Sequence, residues 1–259
     1  MRCARIASAY TRPNAKPGWQ GEIPWYTALV EQGSPQNGIG QTPSPAAPGP
    51  HVGLHLASRS PRRRQLLEEA GLPHHSQHPG FDDSDLSPGA VTPSQWVAAL
   101  AYLKAAAGAQ TASPGCTVLG ADTAIVKNGT LIGTPRDGAE AFRILRGLSD
   151  GTHEVVTGVA LVERSTGRRM VFVDRAAVTV GHLSDAMIRE YLATDAWRGK
   201  AGGYNLRERQ ADGWPLTHQG DPTTVMGLPM KLLPVRLEQF AGACGCHAQG
   251  QSDREKVPA

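Results

Sequence analysis

The stretch Val52-Gly-Leu-His-Leu-Ala-Ser-Arg-Ser60-Pro-Arg-Arg-Arg-Gln-Leu-Leu-Glu-Glu-Ala-Gly71 reads as a strand feeding a helix. Val52, Leu54 and Leu56 alternate as a strand does, Ser60 and Pro61 stand where a helix is capped and begun, and Gly71 stands where one stops. The helix it predicts, Pro61–Ala70, has its charges reversed. Three arginines lie where the helix dipole is positive and two glutamates near its negative end, each misplacement costing about 0.3–1 kcal/mol when exposed. An anion on the free N–H groups of the first turn would favour the arginines there, and bidentate Arg suits phosphate oxygens. A solvated charged face that tolerates the penalty is the plainer alternative.

Outward from this unit, helices are predicted at Pro93–Ala107, Gly138–Arg146, Asp185–Ala193 and Pro229–Phe240, with Thr92, Asp137 and Ser184 as caps. Strands are predicted at Thr117–Leu119, Thr123–Lys127, Glu154–Glu163 and Arg169–Val180, the last two joined at Ser165-Thr166-Gly167. This order makes an α/β domain with a mixed sheet, placed at residues 51–241. Residues 1–50 carry eight prolines and six glycines without periodicity and are expected to be a disordered extension, and residues 242–259 a flexible tail.

The 259 residues carry 26 Lys+Arg against 23 Asp+Glu, net +3, far from the dense basic face that general nucleic-acid binding needs. The most hydrophobic stretch, 155–162, contains Thr157 and Gly158, so no membrane span is expected. Cys3, Cys116, Cys244 and Cys246 form no disulfide framework, and the basic N-terminus lacks the apolar run of an export signal. The expected compartment is the cytoplasm, with an organellar transit peptide open if the source is eukaryotic.

Further candidates for chemistry lie along the chain. Leu119-Gly-Ala-Asp122-Thr123 reads as a strand that stops at a small pair and presents a carboxylate, either a ligand-binding acid or a cap. Gly80-Phe-Asp82-Asp83-Ser-Asp85 could supply hard oxygen ligands to a divalent ion, or be a solvated loop. Gly220-Asp221-Pro-Thr-Thr-Val-Met-Gly-Leu-Pro229 reads as a loop leading into a helix whose start offers N–H groups, while Lys104 and Lys200 could reach phosphates or merely snorkel. A Gly-rich phosphate loop and a serine-hydrolase elbow are absent from the sequence. His74-His75-x-x-His78 is expected to be an exposed loop, and Cys244-Gly-Cys246-His247 part of the tail.

Taken in order, these segments resemble the Maf family of nucleotide pyrophosphatases. The match runs through Leu56-Ala-Ser-Arg-Ser-Pro-Arg-Arg-Arg-Gln-Leu-Leu, Asp82-Asp83, Leu103-Lys104-Ala105, Gly120-Ala-Asp-Thr123, Leu148-Ser149 with His153, Thr157-Gly-Val159, Lys200-Ala-Gly-Gly-Tyr204, and Gly220-Asp221 to Gly227-Leu-Pro229. The resemblance implies a Maf/ITPase-like fold, a twisted mixed sheet flanked by helices around a central nucleotide cleft. It implies hydrolysis of a nucleoside triphosphate to monophosphate and pyrophosphate, with Mg²⁺ or Mn²⁺ as cofactor. Asp122 would be the catalytic base, and Arg62 and Thr123 would bear on specificity. Phosphates would meet Ser60, Arg62, Arg63, Lys104 and Lys200, and the metal would meet Asp122, Asp82, Asp83 and Asp221.

Two positions depart from the pyrimidine-preferring branch: Thr134 replaces a Lys, and Arg207 replaces a Gln after Tyr204-Asn205-Leu206. If both face the base, a modified or non-standard nucleotide is the expected substrate. A nucleotide sensor without turnover, acting through a partner, is the rival reading. The nucleotide is the expected partner, with neither nucleic acid nor membrane, and a homodimer is compatible with it.

Overall fold

The computed structural model describes residues 53–83 and 86–242. The expected N-terminal extension, the tail with Cys244, Cys246 and His247, and Ser84 and Asp85 of the acidic loop lie outside the described residues. In chain order the elements are β1 (Leu54–Ala57), α1 (Pro61–Glu69), β2 (His74–Gln77), α2 (Pro93–Gly108), β3 (Thr117–Lys127), β4 (Thr130–Ile132), α3 (Gly138–Leu148), β5 (Gly151–Glu163) and β6 (Arg169–Val180). Then come α4 (Asp185–Ala193), a 3₁₀ turn (Ala201–Gly203), α5 (Leu206–Ala211), β7 (Leu216–Gln219), α6 (Pro222–Val225) and α7 (Leu233–Gly242).

The strands form one mixed sheet in the order β2-β1-β3-β5-β6-β7, with β4 also on β3. β1 is parallel to β2 and β3, and the remaining pairings are antiparallel. Alternation along β3 feeds two cores on opposite faces. Leu119 and Ala121 pack with Leu66 and Leu67 of α1 and with Leu233 and Phe240 of α7. Val118 packs with Ala101 and Ala105 of α2. A third core joins Ile125 and Val155 to Leu145 and Leu148 of α3, Ile188 and Tyr191 of α4, and Trp197, Tyr204 and Trp214.

The predicted break at Gly120-Ala121 does not exist, because β3 runs straight through to Lys127. Gly120 is small for another reason. A Cβ there would lie 2.3 Å from the Ala101 carbonyl oxygen, and one on Gly158 of β5 would lie 2.5 Å from the Val97 carbonyl oxygen. The two glycines let the backbone of α2 lie directly on the sheet. Because α2 sits this close, Lys104, three residues beyond Ala101 on the sheet-facing stripe, reaches the β3 residue that follows Ala121.

Five elements were not expected from the pattern: β2, β4, β7 and the short helices α5 and α6, the last lying where a loop was read. His74–Gln77, read above as a loop, is the edge strand β2 and pairs with β1 throughout. Its sequence is polar, as short edge strands commonly are. The helix expected from Pro229 starts at Leu233 instead, since Pro229 accepts the backbone N–H groups of Leu232 and Leu233 in a preceding turn. Among the described residues no helix is long and apolar enough to cross a membrane.

Candidate active site

The sheet has a gap in its middle, and the gap makes the site. β1 pairs with β3 only at Thr117–Leu119, and β4 pairs with it only at Ile125–Lys127. Between them no strand of the described residues lies along 120–124 on that edge, so side chains from both faces of β3 open into one space. That space is a cleft of about 250 Å³ lined by Arg62, Arg63, Asp83, Lys104, Asp122 and Thr123 at its charged end. This is slightly below the roughly 300–1,000 Å³ of small-molecule sites, and its lining is unusually charged for one. Its uncharged end includes Ile125, Thr134, Val155, Gly199, Ala201, Tyr204 and Asn205, with Glu208 and Tyr191 nearby acting on Arg62. The amide of Asn205 and its neighbours at this end carry no formal charge.

On the α2 face, the Lys104 Nζ lies 2.6 Å from Asp122 Oδ1 and 2.7 Å from Asp83 Oδ2. The two carboxylates therefore converge on one point. Burial pushes the Asp122 carboxyl above its ordinary value against the pull of Lys104 and Arg63, which makes it a stronger base than an exposed aspartate. Its Oδ1 is taken by Lys104, whereas no hydrogen bond to Oδ2 is found among the described residues.

On the α1 face, Arg63 is tied at three points. Nε donates to the Gly227 carbonyl at 2.9 Å, one terminal nitrogen to Ser58 Oγ at 3.3 Å, and the other to Thr123 Oγ1 at 3.2 Å. Proton counting then orients a chain of hydroxyls. Thr157 Oγ1 donates to the Thr224 carbonyl at 2.7 Å, so its one proton is spent. The 2.9 Å contact between Thr123 and Thr157 must have Thr123 as donor, which leaves the Thr123 oxygen to accept from Arg63. Thr224 in turn donates to Asp174. Burial lowers the Arg63 guanidinium to about 10, opposed by Asp122.

Arg62, by contrast, makes no hydrogen bond or ion pair among the described residues. Burial also lowers it, with Glu208 and Tyr191 pulling the other way. Ser60 lies at the N-terminus of α1 but its side chain makes no capping bond, and the first turn holds no acid. The helix thus presents uncapped N–H groups and an unpaired cation to the cleft.

Other expected site residues lie elsewhere. Lys200 is buried in an ion pair with Glu208 and does not line the cleft. Arg207 turns outward and meets Glu69 of α1 at 3.1 Å, so its side chain does not face the cleft. Asp221 caps α6: it accepts from Thr223 N at 2.9 Å, Thr223 Oγ1 at 2.7 Å and Lys231 N at 2.9 Å. Burial opposes its charge, but these bonds prevail and hold it below the ordinary carboxylate value. Asp82 is exposed and outside the lining, so among the described residues of the acidic loop Asp83 is the one that lines the cleft.

The donor set fits a hard divalent cation. Among the described residues no three His, Cys, Asp or Glu side chains gather to hold a metal. Mg²⁺ needs no such cage, since it is commonly held by one or two carboxylates and completed by water and substrate phosphates. Asp83 and Asp122, already converging on one ammonium, supply that pair.

Behind the uncharged end, His153 Nε2 lies 2.7 Å from Tyr204 Oη, and its Nδ1 is buried without a partner. Burial, aided by Lys127, lowers His153 to about 4. Unfolded, it titrates near 6.5, so the unfolded chain binds the extra proton between these values. The stability His153 confers is whole above about pH 6.5 and is lost as pH falls towards about 4. Between pH 7 and 4.5 the wild type should lose about 2–3 kcal/mol more than His153→Gln, each tenfold difference in proton affinity between the folded and unfolded chain being worth about 1.4 kcal/mol. Urea titrations of both proteins at the two pH values check this, and equal losses would clear His153 of the effect.

Set beside known proteins, the chain matches the family described as Maf-like protein over residues 53–240. It is 39% identical over 180 residues to a dTTP/UTP pyrophosphatase of Salinibacter ruber, covering 70% of this chain and 87% of that one. A dTTP/UTP pyrophosphatase of Pelotomaculum thermopropionicum is 39% identical over 185 residues, covering 71% and 95% of the two chains. One from Bacillus cytotoxicus is 40% identical over 186 residues, covering 71% and 94%.

Proposed function

The chain belongs to the Maf-like family, and from that premise we propose that it hydrolyses the α–β anhydride of pyrimidine nucleoside triphosphates, releasing monophosphate and pyrophosphate. The observation that carries the reading is the meeting, at the gap in β3, of an anion-binding end and a base. The uncapped start of α1 with Arg62 faces the lysine-bridged pair Asp83 and Asp122 across one cleft.

In this reading Asp122 Oδ2 takes a proton from water as the water oxygen bonds to phosphorus. The bridging anhydride bond breaks, and its electron pair leaves on pyrophosphate. Arg62 and the α1 N–H groups offset the charge that grows on the leaving group. A divalent cation held by Asp83 and Asp122 would polarise the phosphoryl oxygens when bound. Arg63 is too heavily bonded to be a mobile clamp, and it fixes the walls that hold the substrate.

The expectation of a modified nucleotide required both Thr134 and Arg207 to face the base. Only Thr134 lines the cleft, and the relatives above are named for dTTP and UTP, so these two are the substrates proposed. The test is pyrophosphate release with Mg²⁺ or Mn²⁺ from dTTP, UTP, GTP and 7-methyl-GTP. A purine or methylated substrate with the highest kcat/KM would restore the modified-nucleotide reading, and tight binding without release would leave a sensor.

A further inference from the structure

Asn205 is 6% exposed and stands at the N-cap of α5, a position no charge or metal requires. Its Oδ1 accepts the Glu208 backbone N–H at 3.3 Å. Only the oxygen of an amide can accept, so this bond fixes which way the side chain is turned and sends Nδ2 to the opposite side. Asn205 lines the uncharged end of the cleft beside Thr134, Ile125, Val155 and Tyr204. Among the described residues Nδ2 has no hydrogen-bond partner, and it is not among the side-chain atoms sealed from solvent without one. The protein thus holds two N–H donors open to the cleft on a side chain that packing and a cap bond prevent from turning away. Water meets these donors while the cleft is empty, and the ligand atom that displaces it must be an acceptor, or the donors are left unpaired at a cost.

Ile125, Val155 and Tyr204, which line the cleft with Asn205 and pack in one apolar cluster, offer walls that suit a base and give a phosphate nothing to pair with, so the group that reaches Asn205 is the base. We infer that Asn205 selects the base by donating to a ring carbonyl, at the edge where uracil and thymine carry an oxygen and cytosine carries an amine. Against cytosine, donor would face donor. The inference rests on the pyrophosphatase reading for the class of ligand and adds to it the residue that separates one pyrimidine from another. Thr134, whose hydroxyl can give or accept, cannot make that distinction alone.

Asn205→Asp tests it with little other change, because aspartate is an equally good N-cap acceptor and nearly isosteric. It keeps the bond from Glu208 and replaces two donors by an acceptor. Affinities of the full-length wild type and variant are measured by calorimetry with Mg²⁺ and the non-hydrolysable α,β-imido analogues of dTTP and dCTP, with melting temperatures alongside. The wild type should bind the dTTP analogue at least about tenfold more tightly than the dCTP analogue, in the range expected where a site's polar group is left unpaired. The variant should lose about tenfold or more for dTTP and lose less, or gain, for dCTP, at an unchanged melting temperature. An equal loss for both analogues would overturn the inference, since it would mean charge repulsion or contact with sugar or phosphate. No loss for either, or no wild-type preference, would overturn it too. Binding to these analogues is read without turnover, so a wild type that binds selectively but releases no pyrophosphate would sink the enzymatic reading and leave Asn205 in place.

Discussion

Asp122→Asn should lower kcat by about 10²–10⁴, the range for loss of a positioned general base, while the melting temperature stays within a few degrees of wild type. The fold should survive because burial works against the charge of Asp122 in the first place. Asparagine removes that cost, and Lys104 keeps its 2.7 Å partner Asp83. Chemistry should not survive, since the amide neither accepts the proton nor holds a cation as a carboxylate does. Asp83→Asn is the informative contrast. It removes a cation ligand but no proton acceptor, so raising Mn²⁺ should recover much of its activity and none of that of Asp122→Asn. Turnover of Asp122→Asn near wild type, with Asp83→Asn dead at every metal concentration, would transfer the base to Asp83.

The parts of the fold that could be read in the sequence are those with strong local propensity, caps or a period. Pro93–Gly108 is a run of strong helix formers, mostly Ala and Leu, behind a capping box that the structure forms, with Thr92 and Gln95 each bonding the other's backbone. β5 and β6 are long and β-branched and fold back at Gly167, whose φ of +69° suits the turn. What escaped was held by partners distant in sequence. β2 and β7 are four polar-rich residues each and exist because β1 and β6 lend them hydrogen bonds. The helix α5 has six residues and no stripe. Its cap Asn205 and Arg209, stacked 4.2 Å from the Tyr191 ring and 5.4 Å from Trp214, hold it in place.

At the site, residue type was legible and commitment was not. The motif acid Asp122 and the wrong-way arginines stood out because each contradicts a local rule, and local contradictions collect where ligands bind. Gly120, in contrast, suggested the end of a strand and turned out to be the seat of a helix, two roles that a glycine marks identically in one dimension. Lys200 and Asp221 are the reverse case. Each has the charge a phosphate or metal site calls for, yet Lys200 is spent on Glu208 eight residues on, and Asp221 on its own helix start and the backbone of Lys231. The sequence does carry a signal for Asp221, since Asp-Pro-Thr-Thr is also a capped helix start with proline at its first position.

Arg62 and Arg63, adjacent in sequence and alike in type, should respond to alanine in opposite ways. Arg63→Ala removes three bonds that tie the β1–α1 loop, β3 and the Gly227 turn together, one of them spanning 164 residues of sequence. It also leaves the Thr123 oxygen short of a donor, whereas Ser58 Oγ still accepts the Ser60 N–H at 3.1 Å. At about 0.5–1.5 kcal/mol for each bond, a loss of about 2–4 kcal/mol of stability is expected, with activity falling because the cleft walls separate. Arg62→Ala removes no bond and relieves a cation that burial disfavours at the positive end of a helix, so stability should hold or rise. Its cost should appear in KM for the triphosphate, by about 1.5–3 kcal/mol, or roughly 10- to 150-fold, as for other charge-assisted hydrogen bonds. Denaturant titration and steady-state kinetics of the two variants decide the matter. If Arg62→Ala were the less stable protein and Arg63→Ala the one with intact stability and a raised KM, the roles would be exchanged, and the hydroxyl chain through Thr123 and Thr157 would have no bearing on substrate binding.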